Sequence, residues 1–346
     1  MNEEILLKAI PAPLLLWYRA HKRDLAWRSD PTPYHIWVSE IMLQQTRVEA
    51  VKEYYARFIK RLPTVFDLAS CPEEELLKLW EGLGYYSRVR NMQKTAKILV
   101  NEYDGKLPCD LQSLTALPGI GRYTAGAILS IAYGLPVSAV DGNVLRVINR
   151  LTENYTPIND EKYKAWLSDS LTKAYPADKE DCRDFTQSLF ELGALICKPQ
   201  NPDCSNCPMK GVCISAKKGT QLQLPVMPIK KEKRDEKVYI FVIKTPYGYA
   251  IRRRENGVLK GLNEFPSHTV ENGETPENVL ASWGVEAFKE IRRKKYKHIF
   301  THIRWDITCV YGEAESVPFD TYTKEEIEEK LSLPTAIRQC FSIIKE

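Results

Sequence analysis

No apolar run in the 346 residues is long enough to cross a membrane. The longest uncharged stretch, residues 123–140, is broken by Gly126, Gly134, Pro136 and two serines, the mark of a buried helix and its exit turn. Met1-Asn2-Glu3-Glu4 is acidic and carries no targeting pattern. A cytoplasmic setting with reduced thiols is therefore expected, and a disulfide framework is not. There is no internal repeat and no low-complexity segment. The net charge is only +4, which permits a polyanionic partner without demanding one. Hydrophobic residues make up 44% and charged residues 27%, so the chain reads as a soluble protein long enough for two domains with real cores.

Against these absences stands one concentrated feature, Cys197-x6-Cys204-x2-Cys207-x5-Cys213. Four thiolates this close can enclose one metal centre, zinc or iron–sulfur. Zinc ribbons pair two tight CxxC knuckles, and only Cys204 and Cys207 are so spaced. The wider gaps fit a [4Fe–4S] cube better. The bland alternative is four unrelated buried thiols, but Cys71, Cys109, Cys182, Cys309 and Cys340 are scattered by comparison.

The chain changes character along its length. Residues 1–216 read as helical: apolar residues from Trp37 through Ile41, Val48, Val51, Tyr55 and Phe58 to Leu62 fall at helical spacing. Further helical patterns cover 73–80, 91–100, 117–133, 162–175 and 184–197. Residues 217–236, with Pro225, Pro228 and a charge run that starts at Lys230, read as an exposed linker. Residues 237–346 read as a smaller α+β domain, with strands at 238–244, 250–254 and 303–311 and helices at 276–283 and 324–331.

Two segments of the helical part carry chemistry. Leu117-Pro118-Gly119-Ile120-Gly121 is a tight turn between helices, whose outward N–H groups can hold a phosphate. A plain helical corner explains those five residues equally well. Val140-Asp141-Gly142-Asn143-Val144 puts an acid at the end of an apolar run, where it could simply cap the next helix. A third segment embeds a carboxylate, Glu40, among Trp37, Val38, Ile41 and Leu43. If desolvated it would keep its proton near neutrality, as a general acid must; if not, it is a helix-surface acid.

The hairpin, the Asp about twenty residues on and the cysteine cluster, in that order, resemble the endonuclease III superfamily of DNA glycosylases. Residues 37–46, Trp-Val-Ser-Glu-Ile-Met-Leu-Gln-Gln-Thr, point within it to the MutY adenine DNA glycosylases. The resemblance implies an all-α, two-lobed helix-hairpin-helix glycosylase domain with a [4Fe–4S] loop, followed by a Nudix-like domain. It implies a catalytic set of Glu40, Asp141, Tyr123 and Asn143. Glu40 would protonate adenine at N7, and Asp141 would stabilise the oxocarbenium ion or trap it covalently. Tyr123 stands where relatives that also cut the backbone carry a Schiff-base lysine, so base removal without efficient strand cleavage is expected. The rival reading is an endonuclease III-like glycosylase and AP lyase for oxidised pyrimidines.

An adenine inside a duplex must be flipped out. Gln45 and Tyr85 match the family's intercalating positions, and Arg88 could hold phosphate or the opposite base. Arg23, Trp27, Arg28, Leu43 and Gln187 match its adenine pocket, and Gly119 and Gly121 its phosphate-binding hairpin. One of Tyr85 and Tyr86 is expected in the core. The implied ligands of the cluster are Cys197, Cys204, Cys207 and Cys213.

The C-terminal part resembles the family's Nudix-like domain through Arg252-Arg253-Arg254, residues 257–266 and residues 298–302. It has no Nudix box, so pyrophosphate hydrolysis is not expected. Phe300, Thr301 and His302 occupy the loop that in the family recognises 8-oxoguanine, with Thr301 where Ser is usual and Asn263 where Trp is usual. His298 and His302 read as loop and strand, not as a metal pair. The implied partner is double-stranded DNA with an A:8-oxoguanine or A:G mispair, met by a monomer in the bacterial cytoplasm at the nucleoid, with no membrane.

Overall fold

The computed structural model of the chain describes residues 3–229, 232–271 and 273–344. Two compact units emerge: Met1–Ser70 with Arg90–Ile229, and Cys71–Val89 with Lys230–Glu346. The first differs from the expected 1–216 domain, because residues 71–89 pack with the C-terminal part.

Helices build the first unit. Apolar residues of its N-terminal helices, Leu6, Leu7, Ile10 and Leu14, share one core with Val144, Val147 and Ile148, with Leu167 and Leu171, and with Phe185 and Leu189. The helix Pro33–Leu43 packs on Val48–Arg61 and on Arg122–Ala127. The run from 37 to 62 is thus two helices, not one. It breaks at Gln44–Arg47, where Gln45 takes a left-handed φ of 57°.

Two glycines shape the region around the hairpin. Gly119 turns at φ 79°, and a Cβ there would lie 2.8 Å from Asn91 Cβ. Gly126 lets its helix press on the extended segment before Asp141; a Cβ would stand 2.2 Å from the Ser138 carbonyl oxygen. That close approach brings the helix bearing Tyr123 alongside the chain leading to Asp141. A π-turn, Ile128–Ala132, follows the helix, and a second, Leu192–Ile196, leads into the first cysteine.

The second unit holds a mixed sheet. Its strands are β1 (Arg234–Thr245), β2 (Gly248–Arg253), β3 (Asn263–Glu264), β4 (Ser267–Thr269), β5 (Lys289–Ile299), β6 (Ile303–Glu313) and β7 (Asp320–Tyr322). The main order is β3-β2-β1-β6-β5, with β4 beside β1 and β7 beside β2. β1 and β6 run parallel from Arg234 opposite Ile303 to Lys244 opposite Glu313. Alternate β1 residues serve opposite faces. Val238, Ile240 and Val242 join Trp305, Ile307 and Phe341, whereas Phe241 and Ile243 join Val279, Leu280 and Val310.

The expected linker is shorter than 217–236. The helix Ile214–Lys218 reaches into its start, and β1 takes its end from Arg234. Lys230 and Lys231, which open the charge run, lie outside the described residues. Pairing with β6 explains why so charged a segment is a strand: Asp235 meets Arg304 at 2.8 Å, and Glu236 accepts from the Trp305 indole at 2.9 Å. β5, also a long strand, carries no alternating apolar pattern that would announce it.

Candidate active site

The first unit contains a cavity of about 160 Å³. Its lining includes Arg23, Trp27, Arg28, Glu40, Leu43, Tyr123, Asp141, Asn143 and Gln187. Nine residues singled out from five separate stretches of sequence therefore meet around one space. Gln45 is not among them; it is exposed at the interhelical break.

Glu40 lies on the buried side of its helix and is 4% exposed. Burial pushes its carboxyl up to about 7, and the nearby charge of Asp141 adds to the rise. The Tyr123 hydroxyl, which donates to Glu40 Oε2 at 2.5 Å, and the Arg28 charge oppose it. Tyr123 is held in turn by Phe190, its ring 5.9 Å away.

Asp141 caps the helix Gly142–Thr152, as its position suggested, and also faces the cavity. Its oxygens accept from the Val144 amide and from Asn143 Nδ2, each at 2.8 Å. Burial raises its pKa above the usual value, against those bonds and the Arg146 charge. Arg146 donates to Asn143 Oδ1 at 2.9 Å, which turns the amide nitrogen of Asn143 toward Asp141. The two acids thus differ: Asp141 has two fixed donors that favour the anion, Glu40 only one.

One residue of the site was not foreseen. Glu191 is completely buried, with Arg28 Nη1 at 2.5 Å and Arg23 Nε at 2.9 Å. Both arginines expected to face adenine are therefore bound to a buried carboxylate behind the cavity lining. The signal was weak, because Glu191 is separated from Arg23 by 168 residues. The Gln187 amide makes no hydrogen bond among the described residues and lines the cavity.

Cys197, Cys204, Cys207 and Cys213 line a second, smaller cavity. The buried Arg150 closes one side, donating to Cys197 Sγ at 3.4 Å and to the Lys198 and Pro199 carbonyls. No group of three or more His, Cys, Asp or Glu side chains among the described residues could hold a single metal ion.

In the second unit Tyr86 is buried and Tyr85 exposed. Tyr85 has a φ of 46° and shares a hydrogen bond of 2.9 Å with Thr301. Arg88 bonds the Leu83 and Gly84 carbonyls and lies over the rings of Trp80 and Tyr85, so it holds the Tyr85 turn. Burial lowers its pKa to about 10. Phe300 packs between His298 and Trp305, whereas Thr301 and His302 are exposed at the β5–β6 turn. Asn263 donates to Glu74 at 3.2 Å, which gives this position a use within the unit.

Among the described residues no helix is long and apolar enough to cross a membrane. Residues 38–170 match the HhH-GPD superfamily of base excision DNA repair proteins, and residues 239–342 match the NUDIX domain family. The first unit carries the corresponding glycosylase fold, and the mixed sheet is Nudix-like. Endonuclease III, solved in a non-covalent complex with DNA, superposes with a TM-score of 0.53 at 27% identity, over 64% of this chain and 100% of its own. An adenine DNA glycosylase of Mus musculus is 34% identical over 86% of this chain and 69% of its own length. That of Buchnera aphidicola subsp. Baizongia pistaciae is 34% identical over 96% of both chains. With a relative at that identity matched over 96% of both chains, and with the HhH-GPD match, the chain belongs to the adenine DNA glycosylases, a family of DNA N-glycosylases.

Proposed function

We propose that this protein removes adenine mispaired with 8-oxoguanine, or with G, from double-stranded DNA. The observation that carries the reading is a buried Glu40 with a pKa of about 7 in the same cavity as the doubly bonded Asp141. Glu40 protonates N7 of the flipped base, which makes adenine a neutral leaving group. Asp141 remains the anion and stabilises the oxocarbenium sugar, with Asn143 fixing its orientation. Water then completes hydrolysis of the N-glycosidic bond.

The cavity accommodates one flat base. Trp27 and Leu43 offer it apolar faces, and Gln187 offers an amide for an adenine edge. No lysine lines the cavity among the described residues, which supports a monofunctional glycosylase over a lyase. Gln45 and Tyr85 act as wedges, and the hairpin amides around Gly119 and Gly121 hold a phosphate. Phe300, Thr301 and His302 read the 8-oxoguanine, with the Thr301 hydroxyl facing its N7–H or O8. The protein acts as a monomer in the cytoplasm.

The four cysteines suit a [4Fe–4S] cluster. Four thiols around one cavity, only two of them spaced as a tight CxxC pair, fit a multinuclear centre better than a zinc ribbon. When bound, the cluster would serve as a structural tie, since hydrolysis needs no electron transfer. Arg150 would stabilise the thiolate of Cys197, and the loop would present Lys198 and Lys210 to phosphate.

The deciding experiment is single-turnover base release from duplexes with A opposite 8-oxoguanine, G, T or C, with and without alkali. Strand breaks that need alkali, formed fastest opposite 8-oxoguanine, are expected. Equal rates opposite G and 8-oxoguanine would remove the lesion preference from the reading. No adenine release from any duplex would overturn it.

A further inference from the structure

Among the described residues β5 is one free edge of the sheet, and it carries Lys289, Arg292, Arg293, Lys294, Lys295 and Lys297 against the single acid Glu290. Its side chains alternate between two faces. Arg292 and Lys294 are half-buried on one: Arg292 donates to the Ile343 carbonyl, and Lys294 lies over the Tyr296 ring. Arg293, Lys295 and Lys297 are exposed on the other. Arg293 is paired with Glu290 and Glu277. Lys297 has Asp306 at 3.7 Å and also acts on the charge of Asp235, and Lys295 has no ion-pair partner among the described residues. The same face continues across β6 and β1, where Lys237 is exposed opposite Asp306 and Arg304 is paired with Asp235.

A lysine or two is enough to keep an edge strand from pairing with another chain. This face holds more cations than that purpose needs. They recur about every 6.6 Å along the strand, close to the interval between successive phosphates of one nucleic-acid strand. The strand also runs directly into the turn bearing Phe300, Thr301 and His302.

We propose that the exposed face of β5, with the adjoining ends of β6 and β1, grips the phosphate backbone of duplex DNA without reading its sequence. The identity of the polyanion rests on the proposed glycosylase function; the surplus charge does not. Bound phosphates displace counterions, so each contact adds about 0.9 to the slope of log affinity against log salt concentration.

The test uses the full chain with Lys295→Gln and Lys297→Gln together. Binding is measured across a salt series on an A:8-oxoguanine duplex and on an undamaged one. A salt slope shallower by about 0.9 for each lost contact is expected, with the same fold-loss of affinity on both duplexes and an unchanged single-turnover rate at saturating enzyme. Asp306→Asn, which removes the carboxylate beside Lys297, should act in the opposite direction and tighten binding to both. An unchanged slope in a folded double variant overturns the proposal. Should that variant not fold, unchanged affinity in Asp306→Asn overturns it. A protein that releases no adenine, yet loses slope in the double variant, would overturn the enzymatic reading and leave this surface standing.

Discussion

Tyr123 donates its phenolic proton to Glu40 Oε2 at 2.5 Å. Burial favours the protonated acid, whereas this bond favours the carboxylate, and the balance leaves Glu40 near 7. A general acid is most useful when its pKa lies near the working pH, because it then both holds its proton and gives it up. The pair therefore acts as an adjustable setting on the rate.

Replacing Tyr123 with Phe removes the donor and keeps the ring against Phe190. The pKa of Glu40 should then rise. In single-turnover base release the alkaline limb of the pH–rate profile should move to higher pH, while the acid limb stays. An unmoved limb would mean that the phenol does not govern Glu40.

Glu40 also weighs on stability. Its folded pKa of about 7 lies above the ordinary 4.5, so the folded state binds the proton more tightly. The associated stability is fully present below about 4.5 and is lost as pH rises through 7. The difference amounts to about 3 kcal/mol. Glu40→Gln, which cannot ionise, should therefore be more stable than the parent at pH 8 by up to about 3 kcal/mol, and base release should be lost. Urea unfolding at pH 8 checks the first expectation, and equal midpoints would place Glu40 in contact with water.

Asp141 has two duties that one substitution separates. Asn caps a helix about as well as Asp, so Asp141→Asn should keep the Val144 bond and the fold. It removes the charge that faces the developing cation. Base release should fall by about a hundred- to a thousandfold while duplex binding changes little. A large drop in melting temperature instead would mark Asp141 as structural.

The order of motifs located most of the site, because each was local: an acid ending an apolar run at Asp141, a carboxylate within apolar neighbours at Glu40, a turn at Gly119. Long-range relations were not legible. Nothing near residue 80 signals that 71–89 would pack with the C-terminal unit, where Glu74 meets Arg253 and Asn263. The break at Gln45 lacks the proline or glycine that marks most helix ends. β5 escaped notice because cations on both faces of an edge strand erase the alternation by which strands are recognised.

Glu191 is the clearest case of a residue hidden by distance in sequence, and its removal yields the last prediction. Glu191→Gln leaves Arg23 and Arg28 with only a neutral acceptor. Breaking a buried pair costs about 3–5 kcal/mol; Arg23 retains 29% exposure, so the lower end applies. The Arg28 charge, no longer cancelled, should also act more strongly on Glu40, whose pKa it already lowers. The alkaline limb of the pH–rate profile should then shift to lower pH, opposite in sign to Tyr123→Phe. Urea unfolding measures the first effect and single-turnover kinetics the second. A destabilised variant with an unmoved limb would make Glu191 a structural anchor for Arg23 and Arg28 alone.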